Sequence, residues 1–207
     1  KTLKHHAEHA VQCFNMIMDV VSDLTMTAWL KYNLTRNILL PLYELLPLNH
    51  QIQVMQQQIH FLVKTINIEE LDNKSSQSGK QSQGHSEDVL TAADVVDRSC
   101  AFNLIQAMYQ CLPSNAIRDK INRAYYPNND AKGNELTTTV MRASHYIKSQ
   151  QLSMTGSSVF SEGVTRELLL EYQGSAFNTL AAVVMCTQSK ENFFTVFCFN
   201  EYITKHE

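Results

Sequence analysis

Apolar residues recur every three or four positions through most of this chain, with polar residues filling the gaps. In the first block Leu3, Ala7, Val11, Phe14, Ile17, Val21, Leu24 and Ala28 fall on one helix face, a spacing that a half-buried strand would not show. Leu34, Ile38, Leu42 and Leu45 predict a second helix that Pro47 stops. Pro41, inside it, must occupy a first turn or a kink because it has no amide donor. A third helix carries Ile52, Met55, Ile59, Leu62 and Ile66, with glutamines on its outer face.

The pattern lapses from Asp72 to Asp88, where Lys74 to Gly84 contains no apolar side chain. Such a stretch has nothing to bury and is expected to be a disordered polar insertion, a coil of about 17 residues whose ends stand roughly 20 to 25 Å apart. Beyond it Val89, Ala92, Val96, Cys100, Leu104, Met108 and Leu112 mark a helix stopped by Pro113. Ser114 is a suitable N-cap for a short helix bearing Ile117, Ile121 and Tyr125, and Asn134 for another bearing Leu136, Val140, Ala143 and Ile147. After a loop from Gln150 to Ser161, Val164, Leu168, Tyr172, Ala176, Leu180 and Val183 mark a long helix. Phe193 to Tyr202 form a last one, apolar on nearly every side, which needs partners on several faces.

These elements predict an all-α protein of about eight helices, with connections short enough to make successive helices antiparallel neighbours. Residues 1–71 would supply the N-terminal helices, 72–88 the linker and 89–207 the C-terminal helices of one architecture, with two domains as the alternative. Composition agrees. The 207 residues are 44% hydrophobic with only 6 Gly and 4 Pro, which suits long helices better than a many-turned sandwich. A net charge of −3 gives no long-range pull on phosphate backbones, so no direct nucleic-acid contact is expected. Five scattered cysteines, Cys13, Cys100, Cys111, Cys186 and Cys198, read as thiols of a reducing compartment. The apolar runs Ile38 to Leu48 and Ala176 to Cys186 are too short to span a bilayer. No signal peptide is visible, and the start reads as a boundary inside a longer chain.

Several short patterns bear on chemistry. His5, Glu8 and His9 spell H-x-x-E-H, in which two imidazoles one turn apart bind zinc and the carboxylate acts as base. It begins at the fifth residue, and its nearest further ligands, Asp19 and Asp23, lie turns away on the same helix, so exposed polar residues at a helix start are the plainer reading. Ser78-Gly79-Lys80 lacks the first glycine, the hydroxyl residue and the preceding strand of a phosphate loop. The run Phe193, Phe194, Phe197 and Phe199 lacks the basic groove of a base-stacking platform, being flanked by Glu191 and Glu201. Asn33-Leu34-Thr35 matches a glycosylation acceptor, which matters only in a secreted protein. Ser76-Gln77 and Ser82-Gln83 are Ser-Gln pairs inside the polar insertion.

Between Val95 and Glu201 the chain also carries distinctive words: Gly133-Asn134-Glu135-Leu136-Thr137, Ala107-Met108 leading to Leu112-Pro113, Lys120-Ile121-Asn122, and Tyr172 followed by Ala176-Phe177-Asn178 and the Phe193–Phe199 run. In these it resembles the DNA-dependent protein kinase catalytic subunit family, in the third circular-cradle segment of its helical-repeat scaffold, with a non-vertebrate-like wording. The resemblance covers about half the chain. It implies an α-solenoid of HEAT-like antiparallel helix pairs and a non-catalytic scaffold segment with no cofactor, metal or catalytic residue. It further implies a parent kinase acting in the nucleus, in double-strand-break repair by non-homologous end joining. The partners would be neighbouring helical-repeat segments of the same chain, with Ku and DNA ends engaged through the parent. Asp97-Arg98-Ser99 echoes the family's catalytic loop, yet Phe102 stands where a metal-binding Asn belongs. The family phosphorylates Ser or Thr followed by Gln, which makes Ser76 and Ser82 candidate modification sites. The residues that matter are then packing residues, Phe14, Leu104, Tyr172, Phe177, Leu180 and Phe197, and truncating Leu180 to Ala is expected to cost about 2 to 5 kcal/mol. The alternatives are a free-standing helical-repeat adaptor that binds peptides on a concave face, and a zinc peptidase built on His5, Glu8 and His9.

Overall fold

A computed structural model describes residues 2–23, 25–67, 90–112, 139, 140, 142, 143 and 163–187. These form α1 (Thr2–Val21), α2 (Ala28–Leu34), a π-helical turn (Thr35–Leu39), α3 (Leu40–Leu45), α4 (Leu48–Ile66), α5 (Ala92–Gln110) and α6 (Arg166–Thr187). The π turn joins α2 and α3 end to end, so the elements amount to five rods, and no β-strand occurs among the described residues. Thr139, Val140, Arg142 and Ala143 are helical as well, within the helix expected after Asn134. The helices expected at 114–125 and 193–202 lie outside the described residues, as does the polar insertion.

The apolar stripe of the first block predicts a helix running on to Ala28, but α1 ends at Val21. The Asp23 carboxylate accepts from both the amide and the hydroxyl of Thr25, each at 2.8 Å, and this local turn outcompetes another helical turn. The second helix departs further from expectation. Of the predicted inward residues, Leu34 and Leu42 are half-buried, while Ile38 is 42% and Leu45 82% exposed. The buried stripe is Lys31, Thr35, Leu39, Tyr43 and Leu46. In an α-helix each four-residue step overshoots a full turn by roughly 40°, so such a stripe would wind off the face within a few turns. The π turn, in which the Leu40 amide reaches back five residues to the Thr35 carbonyl, absorbs that drift. Pro41 follows in the first turn of α3, one of the two places its sequence allowed.

α4 buries Val54, Met55, Ile59, Leu62 and Ile66 and exposes Gln53, Gln56 and Gln57, as its pattern predicts, although Gln51 is buried. α5 begins with a capping box: the Thr91 amide donates to Asp94 Oδ2 at 2.8 Å, and the Asp94 amide donates to Thr91 Oγ1 at 3.2 Å. Its buried residues, Val95, Val96, Ser99, Cys100, Phe102, Leu104, Ile105, Met108 and Tyr109 among them, lie on nearly every side, as befits a rod with neighbours all round.

Packing directions follow from which residues meet. Lys31 meets Asp97, Thr35 lies by Cys100, and Glu44 lies by Cys111, so α2–α3 and α5 run the same way. α4 turns back at Pro47: the Tyr43 hydroxyl donates to the Gln51 carbonyl at 3.2 Å, and Gln51 Nε2 donates to the Tyr43 carbonyl at 3.1 Å, closing an antiparallel hairpin. α1 lies beside α4 through Asn15, which donates to Gln57 and accepts from Gln58. One apolar core runs from α1 to α6, with Phe14 against Tyr43 and Phe102 against Tyr172, ring centroids 6.0 Å apart in each pair. No described helix is long and apolar enough to cross a membrane.

Of the packing residues proposed from sequence, Phe14, Leu104 and Tyr172 are buried and Leu180 is half-buried against the core. Phe177 is instead 41% exposed, because the inward positions of α6 are Leu169, Tyr172, Ala176, Thr179 and Val183, and the next residue after Ala176 turns about 100° away. Phe197 lies outside the described residues. Leu104→Ala is therefore expected to cost about 2 to 5 kcal/mol, Leu180→Ala an amount near the lower end of that range, and Phe177→Ala less than about 1 kcal/mol, read as shifts in urea midpoint.

Candidate functional site

Where α2, α5 and α6 meet, the core is interrupted by a polar seam. Two consecutive residues of α2 serve different neighbours. Lys31, only 4% exposed, places Nζ 3.1 Å from both carboxylate oxygens of Asp97 on α5. Tyr32 donates its hydroxyl to Glu171 Oε1 of α6 at 2.5 Å. One turn on, Arg36 hydrogen-bonds the Tyr32 oxygen, stands 3.7 Å from Glu171, and stacks its guanidinium 5.7 Å from the Tyr32 ring centre. Burial, and then the bond to Glu171, push the Tyr32 phenol above its ordinary pKa.

Deeper in the seam the Thr35 hydroxyl lies beside Cys100, whose thiol burial pushes up to about 11. The Thr179 hydroxyl faces two carbonyls at 2.7 Å each, Phe102 on α5 and Ser175 on its own helix. With one proton to give, it bonds the neighbouring helix only at the expense of a local bond, which ties α6 to α5 directly. Ser99 donates to Val95 within α5 at 2.8 Å. At the far end Cys111 lies between Gln51 and Glu44, and burial raises its thiol too. A raised pKa keeps a thiol protonated and weakly nucleophilic near neutrality, so these groups pack and hydrogen-bond.

The sequence candidates fall elsewhere. Glu8 and His9 are exposed on α1, and the His5 side chain lies outside the described residues. No group of three or more His, Cys, Asp or Glu side chains among the described residues is placed to hold a metal ion. Ser76, Ser82, the Ser78-Gly79-Lys80 segment and the Phe193–Phe199 run also lie outside. Asn33 donates to the Trp29 carbonyl at 2.7 Å and Thr35 is buried, so that glycosylation pattern sits inside a packed helix. Asp97, the kinase-like echo, is occupied by Lys31. Sequence reasoning missed Lys31, Tyr32, Glu171 and Thr179. Lys31 and Asp97 are 66 positions apart and Tyr32 and Glu171 139, and no local pattern links such pairs.

What these side chains do is hold helices to one another in a fixed register, which is the work of a helical scaffold segment. Residues 56–207 match the family described as DNA-dependent protein kinase catalytic subunit, CC3, and the chain belongs to that family. It is 34% identical over 196 residues, 94% of its length, to a DNA-dependent protein kinase catalytic subunit of Dictyostelium discoideum, and 28% identical over 110 residues, 52% of its length, to that of Mus musculus. The chain spans only 4% and 2% of those relatives. It corresponds to a non-catalytic region distinct from the kinase domain. The likeness reaches well before Val95, where the sequence words began. No solved structure matches.

The raised Cys100 thiol has a measurable consequence. Above pH 9 the unfolded chain loses a proton that the folded chain keeps, so the unfolded state is favoured as pH rises, and the loss levels off above about pH 11. The buried Tyr43 phenol, also raised, adds in the same direction above pH 10. Denaturation midpoints are expected to fall between pH 9 and 11, and to fall less in Cys100→Ala.

Proposed function

We propose that this segment is part of an α-solenoid wall of HEAT-like antiparallel helix pairs, about eight helices in all, within a DNA-dependent serine/threonine protein kinase. The observation that carries the reading is the family match over residues 56–207. A second one supports it. Among the described residues the exposed large apolar side chains are Met16 and Val20 on α1, Trp29, Leu30, Ile38 and Leu45 on the α2–α3 rod, Phe61 on α4, and Leu170, Phe177 and Met185 on α6, while α5 in the middle exposes none. Apolar edges around a closed centre suit a repeat unit that stacks against further units of its own chain. The third circular-cradle position and a non-vertebrate lineage fit the family description and the higher identity to the Dictyostelium discoideum relative.

In this reading the wall's job is mechanical. Packed helices hold the distant kinase domain and a Ku-bound DNA end in register, in the nucleus, during repair by non-homologous end joining, with coupling carried by interfaces such as the α2–α5–α6 seam. Introducing Leu104→Asp into the full-length parent tests this. DNA-stimulated phosphorylation is expected to fall about fivefold or more while DNA-independent activity persists. Unchanged stimulation in a variant whose segment is verifiably unfolded would rule the scaffold role out.

Ser76 and Ser82 belong to the same reading as sites of phosphorylation within the polar insertion. Two phosphates would add roughly −3 to −4 of charge beside Lys74 and Lys80 and change how that stretch docks. Phosphopeptide mapping after activation by DNA ends is expected to find both serines modified, and finding neither would remove the proposal.

A further inference from the structure

We propose that the outward face of α6 is the seat of residues 193–202 of this same chain, which fold back along it. α6 is apolar on two faces. Besides its inward positions it carries Leu170, Gly174, Phe177, Ala181 and Met185 at steps of four, three, four and four residues, which gathers them within about 80° of arc on the side away from the core. Leu170 is 53% and Met185 79% exposed, Phe177 and Ala181 are exposed as well, and a side chain at Gly174 would meet nothing within 4 Å. The bonds of Thr179 to the Phe102 carbonyl and of Glu171 to Tyr32 hold the helix in this rotation. From Tyr172 to Thr187 no residue of α6 is charged. A helix face that meets water normally carries charges, so this stripe is built to be covered.

The occupant follows from where α6 stops. Its last residue, Thr187, is two positions past Met185. The connection 188–192 is entirely polar, and its length falls within the roughly two to eight residues that join neighbouring helices. Residues 193–202 then carry Phe193, Phe194, Phe197 and Phe199 with one charge, Glu201. An element apolar on every side thus stands one short tether away from an uncharged apolar face. As a helix it is about 15 Å long. Folded back with the connection as its pivot, it covers Met185 and Ala181 and brings Tyr202 level with Asn178. Phe177 is left at the rim, and Leu170, about 22 Å from Met185 along the axis, lies beyond its reach. A second copy of the chain, or a further unit of the parent, would have to compete with a segment whose tether holds it at an effective concentration on the order of millimolar. This deepens the stacked-helix reading of the segment and rests on it.

Hydrogen exchange on the full-length parent, followed by mass spectrometry, tests the seat. Amides of 193–202 are expected to be protected. Met185→Asp, a charge placed on an exposed residue that the core does not hold, is expected to speed their exchange at least about tenfold while leaving 92–110 unchanged. Ala181→Glu repeats that arm should Met185→Asp unfold α6. Leu170→Asp puts the same charge on the stripe beyond the reach of 193–202 and is expected to leave them unchanged. Absence of protection in the unaltered parent, or no response of 193–202 to either Met185→Asp or Ala181→Glu, overturns the proposal. A response outside these 207 residues instead would assign the stripe to another unit of the parent and overturn it too. So would an equal response to Leu170→Asp, which would mean that α6 loosens as a whole. The readout is local protection and not kinase activity, so failure here is distinct from failure of the scaffold role under Leu104→Asp.

Discussion

A lysine ammonium carried into the core has to find a carboxylate, and in this protein the pairing of Lys31 with Asp97 sets where everything else can lie. An unpaired buried ammonium would cost several kcal/mol, so Lys31 can occupy this inward position only with a carboxylate such as that of Asp97 opposite it. With that contact fixed, the next residue, Tyr32, points at α6 and takes Glu171. Asp97 is itself part-exposed, so water shares the load of solvating the pair. Its contribution is therefore better described as choosing one register than as adding much net stability.

Fixing the register at Lys31 creates a geometric problem further along. Leu39, Tyr43 and Leu46 must also face inward, at steps of three or four residues, and a regular α-helix would carry them off the face. The π turn resolves the conflict by widening one turn, and Pro41 sits where its missing donor costs least. The outcome leaves Ile38 and Leu45 pointing to solvent. Those side chains, with the apolar residues on the outer faces of α1 and α6, are what a neighbouring helical layer would cover in a longer array.

The fold class was legible because helix periodicity is a local property. Ile59, Leu62 and Ile66 on α4, Leu104 and Met108 on α5, and Tyr172 and Val183 on α6 are buried where their spacing places them. Errors arose where a polar residue competes for the inside. The Leu34, Ile38, Leu42 and Leu45 stripe looks more apolar than the Lys31, Thr35, Leu39 and Tyr43 stripe beside it, yet the second faces the core, with Lys31 paired to Asp97 and Tyr43 bonded to Gln51 across the gap. The early end of α1 turns on a side-chain bond from Asp23 that competes with the helix, and the position of Phe177 on a rotation of one residue.

The sequence by itself determined that this chain makes helices, where most of them run, and, through a handful of words, which family it belongs to. Tertiary structure alone decided which face of α2–α3 turns inward, that Lys31 and Tyr32 tie three helices together, and that Thr179 reaches the Phe102 carbonyl. The reason is physical. Periodicity is written in residues three and four apart, whereas the energy of a buried charge or hydroxyl depends on a partner tens of positions away that is brought to 3.1 or 2.7 Å only after the helices have packed.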